Sequence, residues 1–254
     1  MPKTLISSES ATHPIPEGYK EGKLMISELF IDTIQGEGRT IGFPCIFIRF
    51  TGCTLNCSWC DTTEVWRKGL YYTFEDLFTM LEISGTIGKL KTGQHLILTG
   101  GSPLKQQKSI VEFLMQFISK YGFKPFIEVE NECVLMPSRH LISLVDQWNN
   151  SPKLANSNMK VKARMKPDII LATALLPNSW FKFVVYCQED WNEILSDFVE
   201  TGLVTMDQII LMPLGINQEE LSKSREFVVN LCTENSVLFS DRLHITIWDK
   251  KTGV

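Results

Sequence analysis

Residues 45–62, "CIFIRFTGCTLNCSWCDT", change character halfway along. The first six are β-branched or aromatic around a single arginine and read as a strand. The rest place Cys53, Cys57 and Cys60 directly behind it, three of the chain's seven cysteines. A strand that delivers reactive side chains at its carboxyl end is the layout of an α/β fold, where ligands gather at that end of the sheet.

Outward from this stretch the pattern repeats. "LMISELFI" (24–31) is a second strand, joined to the first by the glycine-bearing turn "QGEGRTIGFP". "TFEDLFTMLEI" (73–83) is a helix, with Thr73 as N-cap and Phe74, Leu77, Phe78 and Leu81 on one face. Strand then helix follows at 95–100 and 109–122, at 125–130 and 137–148, and at 181–186 and 189–202. A strand at 208–212, a helix near 217–232 and a last strand, "RLHITIW" (242–248), complete the chain. This alternation implies parallel strands with helical crossovers, as an open sheet or part of a barrel. Residues 149–179 break the rhythm and read as a loop-rich insertion or crossover. Residues 1–22, polar and interrupted by prolines, read as a flexible extension ahead of one domain at 23–254.

The chain's 254 residues, 44% of them hydrophobic, are ample for a packed core. A net charge of −4 argues against a surface built to grip nucleic acid. The amino terminus lacks the apolar core of a secretory signal, and no segment approaches about 18 apolar residues in a row. Together with an odd number of crowded cysteines, this points to a cytosolic protein with reduced thiols.

A structural zinc ion wants four ligands, usually as two separated pairs, and Cys45, Cys133, Cys187 and Cys232 form no second Cys-x-x-Cys. An electron-carrying iron–sulfur cluster wants four cysteines, of which a distant one could be the last. Three clustered thiols without a fourth suggest instead a four-iron cluster with one iron left open to a substrate or cofactor.

Cys-x-x-x-Cys-x-aromatic-Cys resembles the cluster loop of the radical S-adenosylmethionine (SAM) enzymes. In that superfamily the loop follows the first strand of a full or partial (β/α) barrel, and the open iron of a [4Fe–4S] cluster is chelated by the amino and carboxylate groups of SAM. With its flanks, "ELFIDTIQGEGRTIGFPCIFIRFTGCTLNCSWCDT" (28–62) is similar to the amino-terminal region of the 7-carboxy-7-deazaguanine synthase family. Further matches are "LTGGSP" (98–103), "IEVE" (127–130), "SPKL" (151–154), "KFVV" (182–185), "LMPLG" (211–215) and "LHITIWDKKTGV" (243–254). The resemblance implies a partial barrel that converts 6-carboxy-5,6,7,8-tetrahydropterin to a deazapurine with loss of ammonia, using SAM, a [4Fe–4S] cluster and Mg²⁺. It also implies a homodimer, a flavodoxin- or ferredoxin-type electron donor, and no direct contact with membrane or nucleic acid.

Residue by residue, the resemblance carries over Cys53, Cys57 and Cys60 to the cluster and Thr62 to Mg²⁺, which takes oxygen ligands. Ile34, Gln35, Gly36, Glu37, Thr99 and His244 go to the pterin, with Glu37 as acceptor for its N–H edge. Arg49 goes to the substrate carboxylate, which a planar guanidinium suits. Asp61, Gly101, Ser151, Pro152, Lys153, Met212 and Pro213 go to SAM. Each of three has a plainer reading: the glycine turn as a simple connection, Arg49 as a snorkelling strand-end arginine or the partner of a structural acid, and His244 as a satisfied core histidine. Ser102 departs from the radical SAM pattern, in which an acid follows the paired glycines. Two rivals share the cysteine spacing: another small radical SAM enzyme, such as a glycyl-radical activase, and an iron–sulfur module without turnover.

Overall fold

A computed structural model describes residues 2–10 and 20–251. Its strands are β1 (Lys3–Ile6), β2 (Lys23–Ile34), β3 (Pro44–Phe50), β4 (Leu70–Thr73), β5 (His95–Gly100), β6 (Phe126–Asn131), β7 (Gln147–Asn150), β8 (Ser179–Val185), β9 (Ile209–Pro213) and β10 (Leu238–Phe239). They form one sheet in the order β1-β2-β3-β5-β6-β7-β8-β9-β10, with β4 also on β2. From β3 to β10 every pairing is parallel; β1, β3 and β4 pair with β2 antiparallel. The architecture is a partial (β/α) barrel with an antiparallel strand at its start.

Helices α1 (Thr63–Trp66), α2 (Phe74–Ile83), α3 (Thr86–Lys91), α4 (Gln107–Tyr121) and α5 (Arg139–Leu144) accompany the first half. Helices α6 (Val161–Arg164), α7 (Pro167–Ala174), α8 (Gln188–Ile194), α9 (Gln218–Asn235) and α10 (Leu243–Trp248) accompany the second. Alternation along the strands sorts side chains between two faces. Ile46, Ile48, Phe50, Leu96, Leu98, Ile127 and Val129 form one core with Leu77, Phe78, Phe113 and Phe117 of α2 and α4. Phe181, Phe183, Ile209 and Leu211 form another with Trp191, Phe198, Val228 and Leu231. The intervening residues, Arg49, Thr99, Glu130, Lys182 and Met212, line a cavity. Thus Arg49 and Lys182 belong to apolar strands yet face a polar interior.

The turn after β2 runs across this interior. Gln35 donates to Glu130 (3.2 Å), Thr40 to Glu128 (2.8 Å), and the Gly38 N–H to the Ser240 hydroxyl (2.7 Å). The same turn thereby ties β2 to β6 and to the segment after β10.

Several expectations need correction. Residues 242–248 are not a strand: 243–248 form α10, because the Leu243 N–H bonds the Gly36 carbonyl (2.9 Å) rather than a neighbouring strand, and tertiary context overrides the β-branched composition. The helix expected over 137–148 stops at Leu144, and Gln147–Asn150 become β7. The interruption at 149–179 holds the end of β7 and helices α6 and α7. Within the extension expected to be flexible, Lys3–Ile6 pair with β2 and Ile6 is buried, because the edge of β2 offers unpaired backbone groups; residues 11–19 lie outside the described residues.

Candidate active site

The cysteine loop leaves β3 and is fastened at both ends. The Gly52 N–H bonds the Trp66 carbonyl (2.9 Å), the Ser58 N–H bonds the Ser157 carbonyl (3.1 Å), and the Trp59 indole donates to Asn156 (3.1 Å). The Cys53 thiol donates to the Gly101 carbonyl (3.3 Å), and the Leu55 N–H donates to the Cys53 sulfur (3.4 Å). A side chain at Gly101 would put its Cβ 2.3 Å from the Gly52 carbonyl oxygen, so the second glycine of the pair lets the β3 and β5 loops touch. Cys53, Cys57 and Cys60 are free thiols on the wall of a cavity of about 460 Å³. Burial pushes Cys53 up to about 11 and Cys57 upward, so binding a metal there displaces protons. Among the described residues no three His, Cys, Asp or Glu side chains converge on a single ion. Thiols that each take a different iron of one cluster do not need to, and this donor set fits a cluster held by three cysteines.

The same cavity is also lined by a buried network of charge. Glu37 accepts from Lys182 Nζ (2.6 Å) and Arg242 Nε (2.9 Å). Lys182 also reaches Glu130 (3.1 Å), and Arg242 pairs with Asp61 and donates to the Gly215 carbonyl (2.6 Å). Burial works to raise the Glu37 carboxyl, but Lys182 and Arg242 overcome it and hold the group well below the usual carboxylate range. Asp61 is likewise lowered against its burial, chiefly by Arg242. Burial wins at Glu130, which is raised despite Lys182. Burial, aided by the positive charges of Arg242 and Lys182, lowers His244 despite Glu37 and Asp61. Breaking one partner from such a network costs more than the pairing returns, because it strands a buried charge.

The structure brings most of the expected residues to this cavity: Ile34, Gln35, Gly36, Glu37, Arg49, Asp61, Thr62, Thr99, Gly101, Ser151, Lys153, Met212 and His244 all line it. Pro152 and Pro213 are buried beside it and are not on its wall. Both Glu37 oxygens already accept from cations, Oε2 from Lys182 and Oε1 from Arg242. His244 stands on α10 against the turn, where a Cβ on Gly36 would lie 2.3 Å from its Nδ1. Arg49 does pair with an acid, Glu28 (2.9 Å, Glu28 side chain 4% exposed), but only through Nε. Its two terminal nitrogens have no partner among the described residues and remain for a ligand. Sequence reasoning missed Lys182 and Arg242. Lys182 sits in "FKFVVY" as Arg49 sits in "CIFIRF", so the same signal, a lone cation in an apolar strand, marked it.

A family model described as a 4Fe-4S single cluster domain matches residues 34–130. The 7-carboxy-7-deazaguanine synthase of Pyrobaculum aerophilum is 30% identical over 91% of this chain and 97% of its own. That of Rhodopirellula baltica is 30% identical over 98% and 96%, and that of Halobacterium salinarum 29% over 95% and 97%. In fold, the chain is similar to the crystal structure of QueE from Escherichia coli, with a TM-score of 0.64, 22% identity, and coverage of 87% of this chain and 95% of that one. Likeness that runs from end to end, and includes the cysteine loop, makes this chain a member of the 7-carboxy-7-deazaguanine synthase family.

Proposed function

We propose that the protein is a radical SAM enzyme that converts 6-carboxy-5,6,7,8-tetrahydropterin to 7-carboxy-7-deazaguanine with release of ammonia. The observation that carries this reading is one cavity that joins three clustered thiols to Arg49, whose guanidinium has terminal nitrogens to spare. When bound, a reduced [4Fe–4S] cluster on Cys53, Cys57 and Cys60 and a SAM molecule supply a 5′-deoxyadenosyl radical for hydrogen abstraction. The chain's share is placement. Arg49 takes the substrate carboxylate through its terminal nitrogens. Gln35, Thr99 and Glu130 present amide, hydroxyl and carboxylate to the pterin's donors and acceptors, and His244 borders it from α10. With Glu37 locked between Lys182 and Arg242, the wall facing the substrate is pre-organised and needs no proton to move before reaction.

The finer assignments belong to the same reading. Thr62 offers a hydroxyl to a Mg²⁺ that the substrate's oxygens would share. Asp61, Gly101, Ser151, Lys153 and Met212 surround SAM, with Pro152 and Pro213 as supports behind the wall. We take the enzyme to be a cytoplasmic homodimer reduced by a flavodoxin- or ferredoxin-type donor, with residues 23–254 as its catalytic unit. Among the described residues no helix is long and apolar enough to cross a membrane.

Anaerobic reconstitution with iron and sulfide, then addition of reductant, SAM and the carboxytetrahydropterin, tests the proposal. The expected products are 5′-deoxyadenosine, ammonia and 7-carboxy-7-deazaguanine. Deoxyadenosine formed only with a glycine-bearing protein partner would sink it in favour of an activase, and four bound irons with no SAM cleavage would leave a module without turnover.

A further inference from the structure

The segment after β7 grips the cysteine loop between Cys57 and Cys60. The Ser58 N–H donates to the Ser157 carbonyl (3.1 Å), the Asn158 amide to the Ser58 hydroxyl (3.0 Å), and the Trp59 indole to Asn156 Oδ1 (3.1 Å). Asn156 is itself tied to β8, since its amide donates to the Val184 carbonyl (2.9 Å). The same segment begins with Ser151 and Lys153, which line the cavity. One short run, 151–158, therefore meets the thiol loop at one end and supplies the cavity wall at the other.

An ion pair set away from the cavity holds this run. Arg164, at the end of α6, is 4% exposed; its Nη1 donates to the Lys153 carbonyl (3.0 Å) and lies 2.6 Å from Glu193 Oε1. Glu193, on α8, accepts the Ala155 N–H through Oε2 (2.9 Å). Neither side chain lines the cavity. The pair thus fastens the backbone on both sides of Leu154, whose own side chain is buried. As a source of stability the arrangement is poor, because desolvating two charges offsets most of their attraction and Arg164 Nε stays buried without a partner. An apolar pair of the same volume would pack as well. It could not hold two specific backbone groups at hydrogen-bond distance.

We propose that Arg164 and Glu193 are positioning residues of the reaction: by fixing residues 153–158 they set the spacing between the cysteine loop and the Ser151–Lys153 wall, and with it the placement of SAM against the cluster. They touch neither group and act through the backbone of Lys153 and Ala155. The inference rests on the radical SAM reading above and extends the support of that site to α6 and α8.

Hydrogen exchange and equilibrium SAM binding on the cluster-loaded protein, followed by steady-state kinetics, test it. Arg164→Lys keeps a charge for Glu193 on a non-planar head that does not hold Glu193 and the Lys153 carbonyl together. Amides of residues 53–60 should then exchange about 3- to 10-fold faster, the loss of one hydrogen bond from local stability. SAM should bind more weakly by a similar factor, while iron content and KM for the pterin stay at wild-type values. The fall in kcat should reach up to about 100-fold, the cost of misplacing reacting groups by about 1 Å. Asn156→Ala, which removes the Trp59 acceptor and leaves the ion pair in place, should move the same readouts in the same direction. It decides the matter should Arg164→Lys fail to load iron. Val228→Ala, a cavity in the core that α8 shares, lowers global stability and should leave loop exchange and SAM affinity unchanged. Loop exchange and SAM affinity at wild-type values in the loaded variants, or the same changes in Val228→Ala, overturn the inference. A loaded wild type that binds no SAM removes the radical SAM reading itself, and this inference with it.

Discussion

Arg49 shows how one side chain serves structure and ligand at once. Its Nε neutralises Glu28, an acid only 4% exposed, so Arg49→Ala would confuse lost recognition with a stranded buried anion. Lysine is the cleaner probe, since it keeps a positive charge near Glu28 and loses the planar fork. Arg49→Lys should raise KM for the pterin about 10- to 100-fold, the loss of one or two charge-assisted hydrogen bonds, with a smaller change in kcat. Steady-state kinetics with the carboxylated substrate, and with an analogue lacking that group, reads the difference. An unchanged KM would reduce Arg49 to a structural partner of Glu28. The residue was legible because a guanidinium stands out in an apolar strand; Glu28 was not, because nothing in "ELFI" shows which face it takes.

The elements that sequence reading recovered are those written locally. Thr73 caps α2 through a reciprocal pair with Asp76, and its neighbours repeat at helical spacing, so the helix is defined by its own residues. Elements defined by a partner stayed hidden. The four-residue β4 and two-residue β10 exist only in register with β2 and β9, and β7 was absorbed into the helix ahead of it. The edge of β2 is shared: β4 covers Lys23–Ile26 and β1 covers Leu29–Ile31. Removing residues 1–7 should therefore uncover the second half of that edge and the pocket of buried Ile6, costing about 1.5–3 kcal/mol for that side chain and promoting self-association. Urea unfolding and light scattering at the same protein concentration report both; a truncated protein that matches full length in both would show that β1 adds nothing. At α10 the restraint is steric. Gly36→Ala places a methyl where the His244 ring now lies, so the ring, or α10 with it, must shift. Loss of turnover with iron loading intact is the expected result, and unimpaired kinetics would show that α10 yields freely.

Across the whole molecule, parallel strands deliver their loops to one end, and an open barrel leaves a polar interior that the turn after β2 crosses. Sequence spacing located the thiols and the strands that carry them. The interior network stayed out of view because Glu37, Asp61, Lys182 and Arg242 come from four distant segments, joined only once the barrel forms. That network sets how the fold responds to acid. Glu37 and Asp61 have lowered folded values, so the unfolded chain binds their protons more readily than the native protein does. Stability from these two groups is present above their ordinary values of 4.5 and 3.8 and is lost as pH falls through the lowered folded values. Glu130 has the opposite sign: raised in the fold, it contributes stability below 4.5 that is lost as pH rises through its folded value. Glu37→Gln isolates the first effect, since Lys182 keeps Glu130 and Arg242 keeps Asp61. The wild type should be the more stable of the two above pH 4.5, and its advantage should shrink steadily as pH is lowered from there. Urea unfolding from pH 7 to pH 3 follows that difference. Parallel curves for the two proteins down to pH 3 would mean that Glu37 is not held ionised by its two cations.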